Sequence, residues 1–337
     1  MIGFGPAVGI KTFIWQNNTR SALLLAGFPV LLVMLVFAVN VLAMGSGLVG
    51  SSGGGLADDL ALASRNTIAS IPLAVVVSVI WFVVAYFGHQ SMIDAITGAR
   101  RVARGEEPEL YNLLENLCIS RGITMPALRI IETHGLNAYA SGLRDGQYTV
   151  TVTRGLMNVL GRDELECVLA HELTHILNRD VRTMVIASIF AGIISVVAEL
   201  IFRGLFRSRG GGRGKNAAPL MLIGLAIGVV GYGLAFLIRM SLSRTREYVA
   251  DAGAVELTKN PDAMISALRK VSGHSAIEAP EELRGMFLDN TADKSGFAGL
   301  FATHPPIERR VAALIEFSGG RDYDPYQTGL ATAVPTT

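Results

Sequence analysis

The chain has 337 residues, of which 50% are hydrophobic and 17% charged, and its mean hydropathy is +0.43. So little charge on so much apolar surface excludes a disordered chain and a coiled coil, and favours a membrane protein over a soluble enzyme. Lys and Arg total 29 against 28 Asp and Glu, leaving no global charge to attract nucleic acid, and two cysteines, Cys118 and Cys167, are too few for a disulfide framework.

In chain order, the first apolar run covers residues 21–44. Val41, Leu42 and Ala43 offer small residues at a cleavage-like spacing, but the apolar core is much longer than the roughly 7–15 residues of a signal peptide. A membrane anchor is therefore expected. A Gly/Ser linker over 45–55, expected to be flexible, leads to Asp58 and Asp59. The second run, 66–88, holds 23 residues, about 34 Å as a helix against a hydrocarbon core of about 30 Å. A third run over 183–198 is interrupted by Glu199, and a fourth covers 216–238. Four spans are expected, the third being the weakest.

Basic residues near the spans set the orientation. Lys11 and Arg20 precede the first run and Arg100, Arg101 and Arg104 follow the second, which places the N-terminus and residues 90–180 in the cytoplasm. Arg203, Arg207, Arg209, Arg213 and Lys215 would also favour the inside, yet a hairpin that crosses twice puts them outside. Whether residues 183–238 span fully is thus left open.

Between the second and third runs, residues 91–115 carry helical periodicity, while 128–131 and 148–152 read as short strands. With 137–142 between them and a turn at Asp145-Gly146, a small antiparallel sheet is expected. A helix follows, with Asp163 as N-cap, Glu166 closing a capping box, and Leu165, Val168, Leu169 and Leu173 as its apolar stripe.

That helix carries His171-Glu172-Leu173-Thr174-His175. Residues four apart stand one turn above each other, so both imidazoles can face one Zn²⁺, with Glu172 in reach of the metal's water as general base. A catalytic zinc needs a third ligand. Cys167 shares the histidine face but lies a turn too far, and reads as a packing residue or a neighbour of the ligands. Glu247 and Asp251, four apart directly after the fourth run, offer carboxylates; alternatively they belong to a juxtamembrane charged helix whose Arg244 and Arg246 touch lipid headgroups.

The histidine motif, Arg246-Glu247-Tyr248-Val249-Ala250-Asp251 and Thr303-His304-Pro305-Pro306-Ile307-Glu308-Arg309-Arg310 together resemble the HtpX-type membrane zinc endopeptidases, in the same broader family as the CAAX prenyl proteases. The resemblance runs from the two N-terminal spans to about Phe317. It implies His171, His175 and Glu247 as ligands of one Zn²⁺ per chain, Glu172 as catalytic base, and Asp251 orienting a histidine. It implies that Asn137, Ala138, Tyr139 and Ala140 form an edge strand pairing with an extended substrate. His304 would lie near the cleft, stabilising the oxyanion or simply shaping a turn.

The expectation is a mainly α-helical multi-pass membrane protein with a zincin-like α+β protease domain. Residues 1–88 carry two spans, 89–180 and 241–318 supply the two parts of the protease, 181–240 form a hydrophobic hairpin, and 319–337 are a flexible tail. The resemblance implies cleavage of misfolded or damaged membrane proteins or of peptides at the cytoplasmic face of the cell's inner membrane, as quality control. The partners are then such substrates and the lipid bilayer, without nucleic acid. A CAAX-type protease should carry more than four spans, and a non-enzymatic zinc-binding scaffold needs ligands but no base at Glu172. The oligomeric state is open.

Overall fold

The computed structural model of the chain describes residues 10–187, 215–241, 244–272, 274, 288 and 305–322. Its elements in chain order are α1 (Ile10–Gly45), α2 (Leu56–Thr97), β1 (Arg100–Arg101), α3 (Pro108–Arg121), β2 (Ala127–Ile131), β3 (Ala138–Ser141), β4 (Thr149–Thr153), α4 (Arg154–Val159), α5 (Arg162–Leu177), α6 (Ala217–Ser241), α7 (Arg244–Thr258), α8 (Pro261–Val271) and α9 (Ile307–Ser318). Residues 180–187 are helical as well. The chain divides into two compact units, one of 19–87 and 187–239, the other of 1–18, 88–186 and 240–337.

In the first unit, the expected runs 21–44, 66–88 and 216–238 fall in α1, α2 and α6. Of the expected third run only 183–187 are described, and the basic loop before Lys215 and the tail beyond Asp322 lie outside the described residues. Among the described residues, Leu56–Thr97 alone is long and apolar enough to cross a membrane; Val30–Gly45 and Ala217–Gly231 are shorter apolar stretches. Val41, Met44, Ala63 and Leu220 form this unit's buried core, packed by Phe37, Leu60 and Ile223. Along α2, Ile68, Leu73, Val77, Ile80 and Phe87 are largely exposed. The 45–55 linker is tied down at its end. Ser51 Oγ, Ser52 N–H and Ser52 Oγ donate to Asp59 Oδ1 at 3.0, 2.7 and 2.7 Å. Asn216 Nδ2 donates to the other oxygen at 2.8 Å, so the buried carboxylate of Asp59 satisfies the polar groups of a short glycine-rich loop.

The second unit holds a four-stranded sheet of order β1-β2-β4-β3. It is mixed, not antiparallel as expected: β1 and β3 run antiparallel to their neighbours, but β2 and β4 pair in parallel, Leu128 opposite Val150 and Ile130 opposite Val152. The Asp145-Gly146 turn, with Gly146 at φ 81°, joins β3 to β4 as a hairpin, so β4 inserts between β3 and β2. Every residue of β4 is buried, as a central strand requires, and β3 is left at the edge.

The helical pattern expected over 91–115 breaks in two. Gly98, at φ 71°, ends α2 in a left-handed conformation, Arg100–Arg101 pair with β2, and Pro108 opens α3 at its first turn. The last turns of α2 reach the sheet. Gln90 Oε1 accepts from Ser141 Oγ at 2.7 Å and Thr149 Oγ1 at 3.1 Å, Asp94 pairs with Arg129, and Thr97 Oγ1 lies 3.2 Å from Tyr139 Oη.

Helix α5 starts one residue before the expected Asp163 cap. Gly161 precedes the first turn, and its N–H donates to Glu164 Oε2 at 2.7 Å, so Glu164, not Glu166, closes the N-terminus. Leu165, Val168, Leu169 and Leu173 are buried as expected. The helix packs against α7, α8 and β3. At Gly253 on α7 a Cβ would meet the Thr174 side chain, so glycine permits this close approach to α5.

Candidate metal centre

Two elements build the centre. Helix α5 presents His171 and His175 one turn apart, and α7 lays Glu247 against them; all three are buried. Their donor atoms lie within 4.8 Å of one another. The Nε2 atoms of His171 and His175 are 3.2 Å apart, and Glu247 Oε2 and Oε1 lie 3.6 Å from His171 Nε2 and His175 Nε2 respectively. Donors arranged tetrahedrally about Zn²⁺ at about 2.0–2.1 Å stand roughly 3.3 Å from each other. Two imidazoles and a carboxylate at these separations fit zinc.

Each histidine is held from behind. His171 Nδ1 lies 3.0 Å from Asp251 Oδ1, and His175 Nδ1 lies 3.1 Å from Asp180 Oδ2. A carboxylate beside Nδ1 favours the tautomer protonated at that nitrogen, which leaves the Nε2 lone pair on the side of Glu247. Asp251 is gripped in turn by Arg310 of α9, whose Nε and Nη2 donate to its two oxygens at 2.8 and 2.6 Å. Burial disfavours the Asp251 charge, but Arg310 and His171 outweigh it and hold the carboxyl below its ordinary value. Burial also disfavours an imidazolium at His171, yet Asp251 and Glu247 lift it to about 9, so a metal ion held there would have to displace a proton.

Glu172 stands beside the pair and is also buried. Burial raises its pKa, partly offset by the charges of His171 and His175 and by a hydrogen bond from the Ala140 backbone. A buried carboxyl placed beside the two histidines and a strand edge is suited to exchanging a proton with a group bound there.

Asn137, Ala138, Tyr139 and Ala140 all lie at or in the edge strand β3, next to α5. Asn137 C=O accepts from Thr153 N–H at 3.0 Å, on the β4 side. Leu288 N–H donates to Ala138 C=O at 2.8 Å and to Asn137 Oδ1 at 2.9 Å, on the outer side. His304 lies outside the described residues. Cys167 turns away from the histidines, its Sγ 3.4 Å from Thr258 Oγ1 and 3.5 Å from Asn260 C=O at the α7–α8 junction. Burial pushes its thiol up to about 11, so it is a packing residue.

Two residues that touch the centre escaped the sequence reading. Asp180 follows His175 by five residues, just past the end of α5. Arg310 belongs to the third motif, whose pattern alone assigns it no task. Its position with Ile307, Val311 and Leu314 on one buried helix face was the available signal.

A profile of Peptidase family M48 matches residues 105–318. The chain is 43% identical over 322 residues to a Bacteroides fragilis protein described as a protease HtpX homolog, spanning 92% of this chain and 99% of that one. It is 32% identical over 292 residues to a protein of the same description from Lactobacillus helveticus, spanning 84% and 94%. The crystal structure of S. mikatae Ste24p superposes with a TM-score of 0.44 at 18% identity, covering 89% of this chain and 66% of that one. The chain belongs to peptidase family M48, as a metalloprotease of the HtpX type.

Proposed function

We propose that this protein is a multi-pass membrane zinc endopeptidase that cleaves extended segments of damaged or misfolded membrane proteins at the cytoplasmic face of the cell membrane. The observation that carries the reading is the buried cluster of His171, His175 and Glu247 with Glu172 and the β3 edge beside it. The apolar, exposed length of α2 supports an anchor in the bilayer, and the basic residues after it support the orientation. Membrane-protein substrates are supported by the chain running straight from that helix into the protease unit.

In this reading His171, His175 and Glu247 hold one Zn²⁺. Bound there, the ion supplies Lewis acidity that acidifies a water and polarises the scissile carbonyl. Asp251 and Asp180 keep the two imidazoles in the tautomer that binds. Asn137 to Ala140 take the substrate backbone as an added strand, which fixes the scissile bond beside α5. Glu172 accepts the proton of the attacking water and passes it to the leaving amine. Such pairing needs an unfolded segment, which damaged proteins expose.

The test is metal analysis of the purified full chain combined with digestion of casein and a model membrane protein, with and without chelator. About one zinc per chain and chelator-sensitive cleavage are expected. A zinc-free protein, or cleavage indifferent to the chelator, would remove this reading.

A further inference from the structure

Arg310 is 1% exposed and heads the largest fully buried side chains among the described residues. A guanidinium taken out of water is costly unless its N–H groups are used, so its partners show what the burial achieves. Two of its nitrogens clamp Asp251 in a bidentate pair, and Asp251 lies against His171. Nη1 stands 3.5 Å from Glu247 Oε2 and donates to Leu288 C=O at 3.1 Å. Leu288 in turn donates its own N–H to Ala138 C=O and Asn137 Oδ1 on β3. One cation therefore touches the support of one histidine, the carboxylate beside both histidines, and the residue seated on the sheet edge.

We infer that Arg310 is a positioning residue of the protease: it fixes His171 through Asp251, steadies Glu247, and through Leu288 sets the β3 edge in register with the metal centre. The inference rests on the zinc-endopeptidase reading. Its physical core is charge and shape together. Asp251 and Glu247 are two buried carboxylates a few residues apart on α7, and a cation between them offsets their repulsion. Only the planar fork of arginine binds Asp251 at two points while still reaching Glu247 and the Leu288 carbonyl. By strand alternation Ala138 and Ala140 direct their backbone groups outward, since Asn137 bonds inward to Thr153. Leu288 holds the Ala138 end of this edge and the Ala140 backbone bonds Glu172, so the same strand is tied both to Arg310 and to the centre.

The experiment compares the full chain with Arg310→Met, Arg310→Lys and, as a control on the same helix, Val311→Ala, whose side chain is equally buried. Zinc affinity is read by competition with a chromophoric chelator, folding by thermal melting of the metal-free protein, and kcat and KM with one peptide. Arg310→Met should weaken zinc binding by about 10–100-fold and raise KM. Arg310→Lys, which restores charge without the fork, should fall between it and the wild type. Val311→Ala should lower the melting temperature while keeping zinc affinity within about twofold of wild type. Unchanged zinc affinity in Arg310→Met overturns the inference, as does an equal loss in Val311→Ala, which would make the effect one of general stability. If Arg310→Met does not fold, Arg310→Lys decides: a loss of several-fold in zinc affinity supports the role and none overturns it. A wild type that binds no zinc would instead sink the endopeptidase reading itself, and this inference with it.

Discussion

Glu172 and Glu247 are both buried carboxylates at one centre, and what each touches separates their tasks. Glu247 faces the Nε2 atoms of both histidines, whereas Glu172 is met by the Ala140 backbone. Glu172→Gln should therefore keep zinc near wild type while proteolysis falls by about 10²–10⁴-fold, the usual worth of a positioned base. Glu247→Gln should lower zinc affinity itself, with activity partly returning in excess zinc. Zinc stoichiometry and peptide cleavage measured on both variants check the division; full zinc in Glu247→Gln would remove it from the ligand set. The histidine pair was legible in the sequence because a spacing of four on a helix is a local geometric fact. The supports were not, because they depend on where distant segments come to rest. Asp180 is one acidic residue past a helix end. Arg310 follows Arg309, and only the phase set by Ile307, Val311 and Leu314 shows which of the two turns inward.

At the scale of elements, the centre exists because α7 lies close along α5. Gly253 permits that approach: a Cβ there would crowd the Cγ2 and Oγ1 of Thr174, which stands between the two histidines. Gly253→Ala gains about 1 kcal/mol in helix propensity, but overpacking of about 1–3 kcal/mol should exceed it. The helices should move apart, and Glu247 with them, lowering zinc affinity. Adding Thr174→Ala should relieve the contact and restore binding, so the double variant distinguishes a spacing effect from a lost side chain. The sheet shows the limit of pattern reading. Alternation in Thr149–Thr153 announced a strand, but not that its neighbours would be parallel β2 on one side and antiparallel β3 on the other. A tight turn fixes only the hairpin it closes. Beside this sheet, hydrogen bonding to Arg154 leads the effects that hold the exposed Glu132 at about 2, outweighing a smaller desolvation, with Arg100 adding to it. A carboxyl depressed in the fold stabilises above its unfolded value of about 4.5 and loses that contribution as pH falls toward 2. The melting-temperature advantage of wild type over Glu132→Gln should thus be small, greatest above pH 4.5 and absent near pH 2.

At the scale of the molecule, the question is which side of the bilayer each segment faces. Composition announced a membrane protein, and α2 carries that signature in its exposed apolar length. The number of crossings was less legible, since hydropathy measures apolarity and not depth. The proposed orientation, which rests on the basic residues after α2, puts residues 90–180 in the cytoplasm and the loop before Asp58 on the other side. Single cysteines can test this against an unusually quiet background: Cys118 and Cys167 are both buried, and burial pushes each thiol up to about 11, where little thiolate is available to react. Gly54 is a poor site for the outer probe, because a Cβ there would crowd the Asp58 carboxylate. Gly50 and Gly105 are exposed, and a Cβ at either meets nothing within 4 Å. In intact cells a membrane-impermeant maleimide should label Gly50→Cys directly and Gly105→Cys only after permeabilisation. The opposite pattern would place the metal centre on the far side of the membrane and end the cytoplasmic assignment.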